Sequence, residues 1–336
     1  MSKATEKCPA WIIDAAREGP PDIAYADYVP GELADNQVLV KVEYSSVNYK
    51  DALAITGAGK VIRADAPVVP GVDLAGSVVE SKSKVFKEGD EVIATGWELG
   101  ERLNGGYCQY CRLTDWMLIK RPANLSAKTA MKVGTAGLTA ALAIGVLQEN
   151  GCLKKDQEET RLMITSAGGG LGSIAVCLLS GLGYHPYAIS RPQNREYIES
   201  LGAKKIFDRD EFIKDVRPLG KDSWDGAIDS AGGKLLEAIL PRMRYGGTVA
   251  SCGLTGGAAF SATVMPFILR AVRMIGIDSV QASSSKREQA WQLISDMSDR
   301  IDNINAVEVN LPDIVDAARK LIQAQIQGRI TVKVGG

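Results

Sequence analysis

A run of glycines between a predicted strand and a predicted helix is the first feature of the sequence that could do chemistry. It reads Ala167-Gly168-Gly169-Gly170-Leu171-Gly172, after an apolar stretch at 161–166 and before another at 173–182. Glycines let the backbone approach a pyrophosphate, and a helix N-terminus offers unpaired N–H groups and the positive end of its dipole. We therefore predict a dinucleotide site that contacts Gly168, Gly169, Gly170 and Leu171. The alternative is a tight strand-to-helix turn without a ligand.

The end of the next predicted strand, 186–190, indicates which dinucleotide fits. Sites for NAD place an acidic residue at this position, where it binds the ribose 2′-hydroxyl. This chain has Ser190 and Arg191 instead. A hydroxyl and a guanidinium suit a 2′-phosphate, which arginine binds through charged hydrogen bonds. We predict NADPH as the cofactor, with contacts from Ser190 and Arg191. The alternative for Arg191 is a solvated surface side chain.

Composition narrows the class of protein. The 336 residues carry 39 basic and 40 acidic side chains, for a formal net charge of -1. This balance argues against a nucleic-acid partner or a membrane-surface role, both of which favour a basic face. No apolar stretch of about 18 residues lacks charge and glycine, and the N-terminus shows no apolar signal core. We therefore expect a cytoplasmic protein that spans no membrane.

Cysteine and histidine usage argues against a metal site. The chain has six cysteines and one histidine, His185, which we interpret as a loop or strand-entry residue. Only Cys108 and Cys111 are close in sequence, and no second pair lies near enough to complete a zinc site. They fall in a predicted strand, where residues three apart point to opposite faces. We predict two separate packing thiols and no metal.

The elements around these residues change in type along the chain. Short strands with turn signals fill about the first 120 residues and predict an all-β, barrel-like unit. From residue 126 helices alternate with strands, which predicts a doubly wound parallel sheet and an α/β class. The tail at 328–334 reads as one more strand that returns to the β unit.

The sequence resembles the quinone-oxidoreductase-like branch of the medium-chain dehydrogenase/reductase family, which contains acrylyl-CoA reductase. The likeness runs almost end to end and is carried by the glycine loop, Ser190-Arg191 and several further stretches: 48–57, 70–73, 134–140, 201–203, 252–254, 265–270 and 276–280. The resemblance implies a GroES-like catalytic domain at 1–125 and 275–336 and a Rossmann domain at 126–274. It also implies a zinc-independent enzyme and a homodimer formed through an edge strand at 273–277.

By motif match, the resemblance adds Tyr49, Arg209, Leu254 and Ile268 to the cofactor contacts. The alternative for Arg209 is a surface salt bridge.

The sequence departs from the family in three places. A glycine before Arg191 is missing, so Arg195 could share the phosphate. A serine is common where Gly168 stands. In the stretch 96–106, a histidine and a tryptophan are replaced by Leu103 and Asn104.

The chemistry that follows is hydride transfer to the β-carbon of an activated alkene, with protein donors that stabilise the enolate oxygen. The candidate catalytic residues are Asn48, Tyr49 and Asp51. The alternative for Asn48 and Asp51 is turn capping, and for Tyr49 it is packing against the nicotinamide. We expect Trp97, Arg102 and Asn104 to line the substrate side, and Arg102 and Arg270 are candidates for a CoA phosphate.

The sequence leaves three functions open. The first is NADPH-dependent reduction of acrylyl-CoA or a similar short enoyl-CoA. The second is an NADPH quinone or 2-alkenal reductase, and the third is a non-catalytic NADPH-binding redox sensor.

Overall fold

A computed structural model describes residues 2–14 and 21–335. The chain forms two compact units. Unit 1 comprises Met1–Thr135, Val280–Glu288 and Asn305–Gly336, and unit 2 comprises Ala136–Ser279 and Gln289–Ile304.

The described elements follow in chain order. The first half has β1 Cys8–Asp14, β2 Asp22–Tyr28, β3 Gln37–Ser46, α1 Tyr49–Thr56, β4 Asp73–Ser81, β5 Glu91–Thr95, β6 Tyr110–Thr114, β7 Ile119–Lys120, α2 Ala127–Glu149 and β8 Leu162–Ile164. The middle has α3 Gly170–Gly181, β9 Tyr187–Ser190, α4 Arg195–Ser200, β10 Lys205–Asp208, α5 Arg209–Phe212, β11 Trp224–Asp229, α6 Gly233–Ile239 and β12 Met243–Ser251. The last part has α7 Met265–Arg270, β13 Arg273–Gly276, α8 Ser284–Asp296, α9 Ser298–Ile301, β14 Ala306–Asn310, α10 Ile314–Ile322 and β15 Arg329–Lys333.

The sheet of unit 1 is built around β3. Its strand order is β14-β15-β3-β4-β5-β7, and β6 pairs with the first half of β3. Val38, Val40 and Val42 are fully buried, as the alternating pattern of β3 predicts. The tail strand β15 pairs antiparallel with the end of β3, so the predicted return of the chain to the β unit is confirmed.

The sheet of unit 2 is a six-stranded, doubly wound sheet. Its order is β10-β9-β8-β11-β12-β13, and all its pairs are parallel. Every residue of β8 and β11 is buried, as expected for a parallel sheet covered on both faces. The strand order reverses between β8 and β11, and ligands of such sheets bind at the carboxyl ends of the strands near this point.

Helix α2 shows how one glycine divides an apolar segment. The sequence predicts one helix at 127–133 and another at 135–147, and Gly134 between them has a φ of 53° and a non-helical conformation, so α2 consists of two helical segments. Within the described residues, α2 is the one helix long and apolar enough to cross a membrane, and 67% of its apolar window is buried inside the protein. That burial is what a core helix of a folded domain shows.

The structure differs from the sequence analysis in three places. The domain bounds differ: residues 126–135, predicted in the Rossmann domain, belong to unit 1, and residues 275–279 and 289–304, predicted in the GroES-like domain, belong to unit 2. In unit 2, α9 packs on α3, and the Cys177 thiol donates to the Arg300 carbonyl at 3.4 Å. The apolar pattern at 234–243 predicts a single helix, but α6 ends at Ile239, because Pro241 lies in a 3₁₀ turn that follows it.

The third difference concerns Cys108 and Cys111. Both are fully buried, and Cys108 precedes β6, so strand alternation does not separate their side chains. Burial raises the pKa of the Cys108 thiol, and the neighbouring Cys111 thiol raises it further. The prediction that they point apart is therefore wrong.

Candidate functional site

The glycine loop lies at the carboxyl end of β8, and Gly169 is the N-cap of α3. A Cβ on Gly172 would lie 2.5 Å from the Ser166 carbonyl oxygen and 2.7 Å from the Ala167 Cα. The first turn of α3 therefore approaches the preceding loop more closely than any residue with a side chain allows. Gly169, Gly170 and Leu171 remain partly accessible at this helix N-terminus. The loop thus has the form of a main-chain anion cradle.

Asn194 is a residue of this region that the sequence analysis missed. A Cβ on Gly168 would lie 2.2 Å from the Asn194 amide nitrogen, which also donates a hydrogen bond of 3.1 Å to the Ser190 hydroxyl. The amide of Asn194 therefore occupies the space that a serine side chain at position 168 would fill. The sequence signal for this contact was the glycine at position 168, where the family commonly has serine. Only the fold, however, places Asn194 beside Gly168.

Two arginines follow neighbouring strands at the same edge of the sheet. Arg191 comes directly after β9 and Arg209 directly after β10, where Ser190 pairs with Asp208. Arg191 is exposed and Arg209 is half-buried. Within residues 2–14 and 21–335, neither guanidinium makes a hydrogen bond or an ion pair. Two uncommitted cations beside a glycine loop fit the 2′-phosphate of NADPH.

The other residues predicted to contact the cofactor differ in exposure and in their ion pairs. Arg195 is exposed and forms a 3.5 Å ion pair with Glu199 on its own helix, so its guanidinium is partly committed. Leu254 follows β12 and is 54% exposed, while Ile268 lies on α7 and is 72% exposed. Both leave apolar surface uncovered in unit 2.

A buried hydrogen-bond network organises the start of α1 in unit 1. Asn48 is the N-cap of α1, and its backbone N–H donates to Asp51 Oδ2 at 2.8 Å. The Asn48 amide donates to Asp73 Oδ2 at 2.7 Å and to Ser46 Oγ at 3.1 Å. Its carbonyl accepts from the guanidinium of the buried Arg329 at 3.0 Å. The side chain of Asn48 is thus engaged in hydrogen bonds within the interior of unit 1.

Asp51 is 2% exposed and accepts two backbone hydrogen bonds, from Asn48 and, at 3.0 Å, from Val72. Burial raises the pKa of Asp51 to about 7, and the nearby Asp73 adds to the increase, while the Asn48 N–H opposes it. The structure gives Asn48 and Asp51 the capping roles that were the alternative to catalysis. Both side chains are therefore engaged in the cap of α1 and are not free to act on a ligand.

Tyr49 has a different environment from its neighbours. It is the first residue of α1 and is partly exposed. Within the part of the chain that the structure describes, its hydroxyl makes no hydrogen bond. Of the three candidate catalytic residues, Tyr49 therefore keeps a donor that a ligand could use.

The three residues predicted to line the substrate side do not lie in one common pocket. Trp97 is half-buried, with a φ of 54°, and the guanidinium of Arg287 lies 3.9 Å from its ring centroid. Arg102 and Asn104 instead line a separate pocket of unit 1. The Asn104 side chain accepts from the Val69 N–H and donates to the Tyr28 hydroxyl, each at 2.9 Å. Its amide therefore holds loops together.

Arg270, the second candidate for a CoA phosphate, is used inside unit 2. Its guanidinium donates to the carbonyl oxygens of Pro241, Met243 and Gly220 at 3.0, 3.1 and 2.7 Å. The structure thus gives Arg270 a structural role. As for metals, the described residues contain no cluster of three or more histidine, cysteine, aspartate or glutamate side chains suited to an ion.

A β-sheet unit joined in sequence to a doubly wound sheet with a glycine loop is the architecture typical of two-domain, dinucleotide-dependent oxidoreductases. Two family models match: the alcohol dehydrogenase GroES-like domain at residues 34–176 and the zinc-binding dehydrogenase at residues 170–296. The chain belongs to the medium-chain dehydrogenase/reductase family, in the branch that contains acrylyl-CoA reductase and quinone oxidoreductase-like proteins.

Several relatives are similar over nearly the whole chain. A probable acrylyl-CoA reductase, AcuI, of Escherichia coli is 46% identical over 90% of this chain and 92% of its own. A putative quinone oxidoreductase, YhfP, of Bacillus subtilis is 42% identical over the same shares. The crystal structure of E. coli YhdH with bound NADPH has a TM-score of 0.90 and 42% identity and covers 97% of this chain and 100% of that one. The structure of B. subtilis YhfP with bound NAD has a TM-score of 0.91 and 38% identity and covers 98% and 100%.

Proposed function

We propose that this protein is a zinc-independent, NADPH-dependent reductase that transfers hydride to the β-carbon of an alkene conjugated to a carbonyl, with a short enoyl-CoA such as acrylyl-CoA as substrate. The observation that carries the proposal is the glycine cradle of unit 2 with Arg191 and Arg209 beside it. Relatives whose structures contain NADP or NADPH, and relatives named acrylyl-CoA reductase, support it.

The residues of the chain have separable roles in this proposal. The N–H groups of Gly170 and Leu171 at the start of α3 hold the pyrophosphate, whereas the Gly169 N–H already donates to the Ser166 carbonyl at 2.9 Å. Arg191 and Arg209 hold the 2′-phosphate. When bound, NADPH supplies the hydride.

Tyr49 donates a hydrogen bond to the enolate oxygen and is the candidate proton donor to the α-carbon. Asn48 and Asp51 position Tyr49 through the cap of α1. Leu254 and Ile268 offer apolar surface to the nicotinamide end of the cofactor.

One panel assay tests the proposal. Oxidation of NADPH is followed with acrylyl-CoA, with a free 2-alkenal and with a small quinone, each over a range of concentrations. We expect saturable turnover with all activated alkenes and the highest kcat/KM for acrylyl-CoA. A Tyr49→Phe variant should keep its NADPH affinity and lose kcat. Absence of turnover with every acceptor would refute the enzyme assignment and leave a redox-sensing NADPH-binding protein.

The second candidate function is NADPH reduction of a quinone or a 2-alkenal. The similarity to YhfP favours it, as does the replacement at Leu103 and Asn104 of the histidine and tryptophan common in acyl-CoA-active relatives. A kcat/KM for the quinone or the alkenal above that for acrylyl-CoA would select this alternative.

We also propose a cytoplasmic homodimer that pairs through β13. This strand is the edge of the six-stranded sheet, and its residues are exposed or partly exposed. An unpaired, accessible edge strand is a template for pairing with a second copy.

A further inference from the structure

We infer that a pocket in unit 1 binds a phosphate ester of the substrate, namely the phosphorylated end of an enoyl-CoA. The pocket has a volume of about 410 Å³, and we call it the arginine pocket because Arg63, Arg102 and Arg112 line it. Asp65 is the one acidic side chain in its lining. This inference rests on the proposed function, since it concerns how the same substrate is recognised.

The three arginines come from separate segments of unit 1. Arg63 precedes β4, Arg102 lies between β5 and β6, and Arg112 belongs to β6. The lining carries three guanidinium groups and one carboxylate, and the carboxylates of Glu98 and Glu101, which pair with Arg102 and Arg63, lie outside it. Arginine forks are suited to phosphate oxygens, which they bind through paired, charged hydrogen bonds.

The guanidinium groups are held by a few contacts, but some of their N–H donors have no hydrogen-bond partner among the described residues. Arg102 binds Glu98 at 3.2 Å through its Nε alone, and Arg112 donates one hydrogen bond of 2.8 Å to the Glu32 carbonyl. Arg63 lies 4.0 Å from the carboxylates of both Glu98 and Glu101 and makes no side-chain hydrogen bond among the described residues. Among the described residues, the two terminal amino groups of Arg102 have no partner. Donors that face a pocket in this state are available to an anion.

The walls of the pocket are fixed by hydrogen bonds between its loops. The Arg63 N–H donates to the Glu101 carbonyl at 2.9 Å, and the Gly105 N–H donates to the Val69 carbonyl at 2.7 Å. The Asn104 amide ties the same loops to Val69 and to Tyr28. A pocket held in this way loses little conformational entropy when a ligand binds.

One loop links the arginine pocket to α1, the helix that carries Tyr49. Glu101, which is 2% exposed, forms an ion pair with Lys50, and Lys50 follows Tyr49 in α1. Arg102 follows Glu101 directly, so one loop contacts the helix that carries Tyr49 and also lines the pocket. Leu103, 44% exposed, adds apolar surface there. A long thioester with an anionic, partly apolar end matches this arrangement.

The experiment compares acrylyl-CoA, acrylyl-3′-dephospho-CoA and acrylyl-pantetheine as substrates, with NADPH saturating so that the phosphate site of unit 2 is filled. In the wild-type protein we expect kcat/KM to fall as phosphates are removed. Arg102→Ala should lower kcat/KM for acrylyl-CoA by about tenfold, through KM, and leave that for acrylyl-pantetheine unchanged. Arg63→Ala should act in the same direction. Arg319→Ala, an exposed arginine of α10 outside the pocket, is the matched control and should change neither value.

Two failures have different meanings. Equal kcat/KM for all three thioesters, or an equal loss for all three in Arg102→Ala, would overturn the phosphate site while leaving the reductase intact. Absence of NADPH oxidation with any thioester, together with turnover of a quinone, would instead refute the enoyl-CoA assignment on which the inference rests.

Discussion

At the scale of single residues, bonding partners rather than residue type separate functional side chains from structural ones. Arg270 and Arg191 both match the family pattern, yet Arg270 donates to three carbonyl groups of unit 2, and Arg191 makes no hydrogen bond within the described chain. The same contrast separates Asn48, whose amide is consumed by Asp73 and Arg329, from Tyr49. A side chain with its donors already used would have to break those bonds to bind a ligand.

Arg191 gives the first prediction. Arg191→Ala should raise the KM for NADPH about 10- to 100-fold and leave the KM for NADH nearly unchanged, because only NADPH carries the 2′-phosphate. Steady-state kinetics with both cofactors measures this. Arg217→Ala, an exposed arginine before β11, is the matched control and should behave like the wild type. Equal increases for NADPH and NADH would contradict the assignment.

At the scale of elements, the packing of α3 on the loop after β8 decides the shape of the cradle. Gly172 is the contact point, because the Ser166 carbonyl and the Ala167 Cα leave no room for a methyl group. Both of these neighbours are backbone atoms, which cannot move aside as the end of a flexible side chain can. The glycine thus sets the helix position, and the helix position sets where its N-terminal N–H groups point.

A pair of helix glycines tests this. Gly172→Ala should destabilise the fold by about 1–3 kcal/mol through overpacking and should weaken NADPH binding. Gly145→Ala in α2, where a Cβ would meet nothing within 4 Å, should stabilise the fold by about 0.5–1 kcal/mol and leave NADPH binding unchanged. Denaturant unfolding and a fluorescence titration with NADPH provide the two measurements. A stable Gly172→Ala protein with wild-type affinity would show that the contact does not define the cradle.

At the scale of the whole molecule, the free edge of the unit 2 sheet is the feature that assembly would use. The Ile277 N–H donates to the Ser251 carbonyl at 2.9 Å, so by strand alternation the N–H groups of Met274 and Gly276 point away from β12. Met274 is also 38% exposed. The exposed edge strand therefore carries both main-chain donors and apolar surface, which a second copy could use in the proposed dimer.

The third prediction is that Met274→Pro converts a dimer into a monomer. Proline removes an outward N–H without removing a hydrogen bond to β12, so the fold should persist while pairing across the edge is lost. Light scattering during gel filtration gives the mass, and circular dichroism checks the fold. Met274→Ala keeps the N–H and should remain dimeric. A monomeric wild-type protein, or a folded Pro variant that is still dimeric, would rule out this interface.

The sequence by itself determined the features that depend on neighbours along the chain. Strand alternation in β3, the glycine loop between β8 and α3, and Ser190-Arg191 at the end of β9 are all local, so the fold class and the cofactor could be predicted. Local patterns also separated the two helical segments of α2 at Gly134, whereas α1 was not predicted as a helix.

Only the tertiary structure decided which side chains are available to a ligand, because their partners come from distant parts of the chain. Arg329 reaches Asn48 across 281 residues, and Asn194 lies against Gly168 only because β9 is paired beside β8. The arginine pocket likewise joins three segments that no spacing rule connects. Periodicity records which face of an element is buried, whereas the pairing of polar groups in the interior is settled by packing between elements.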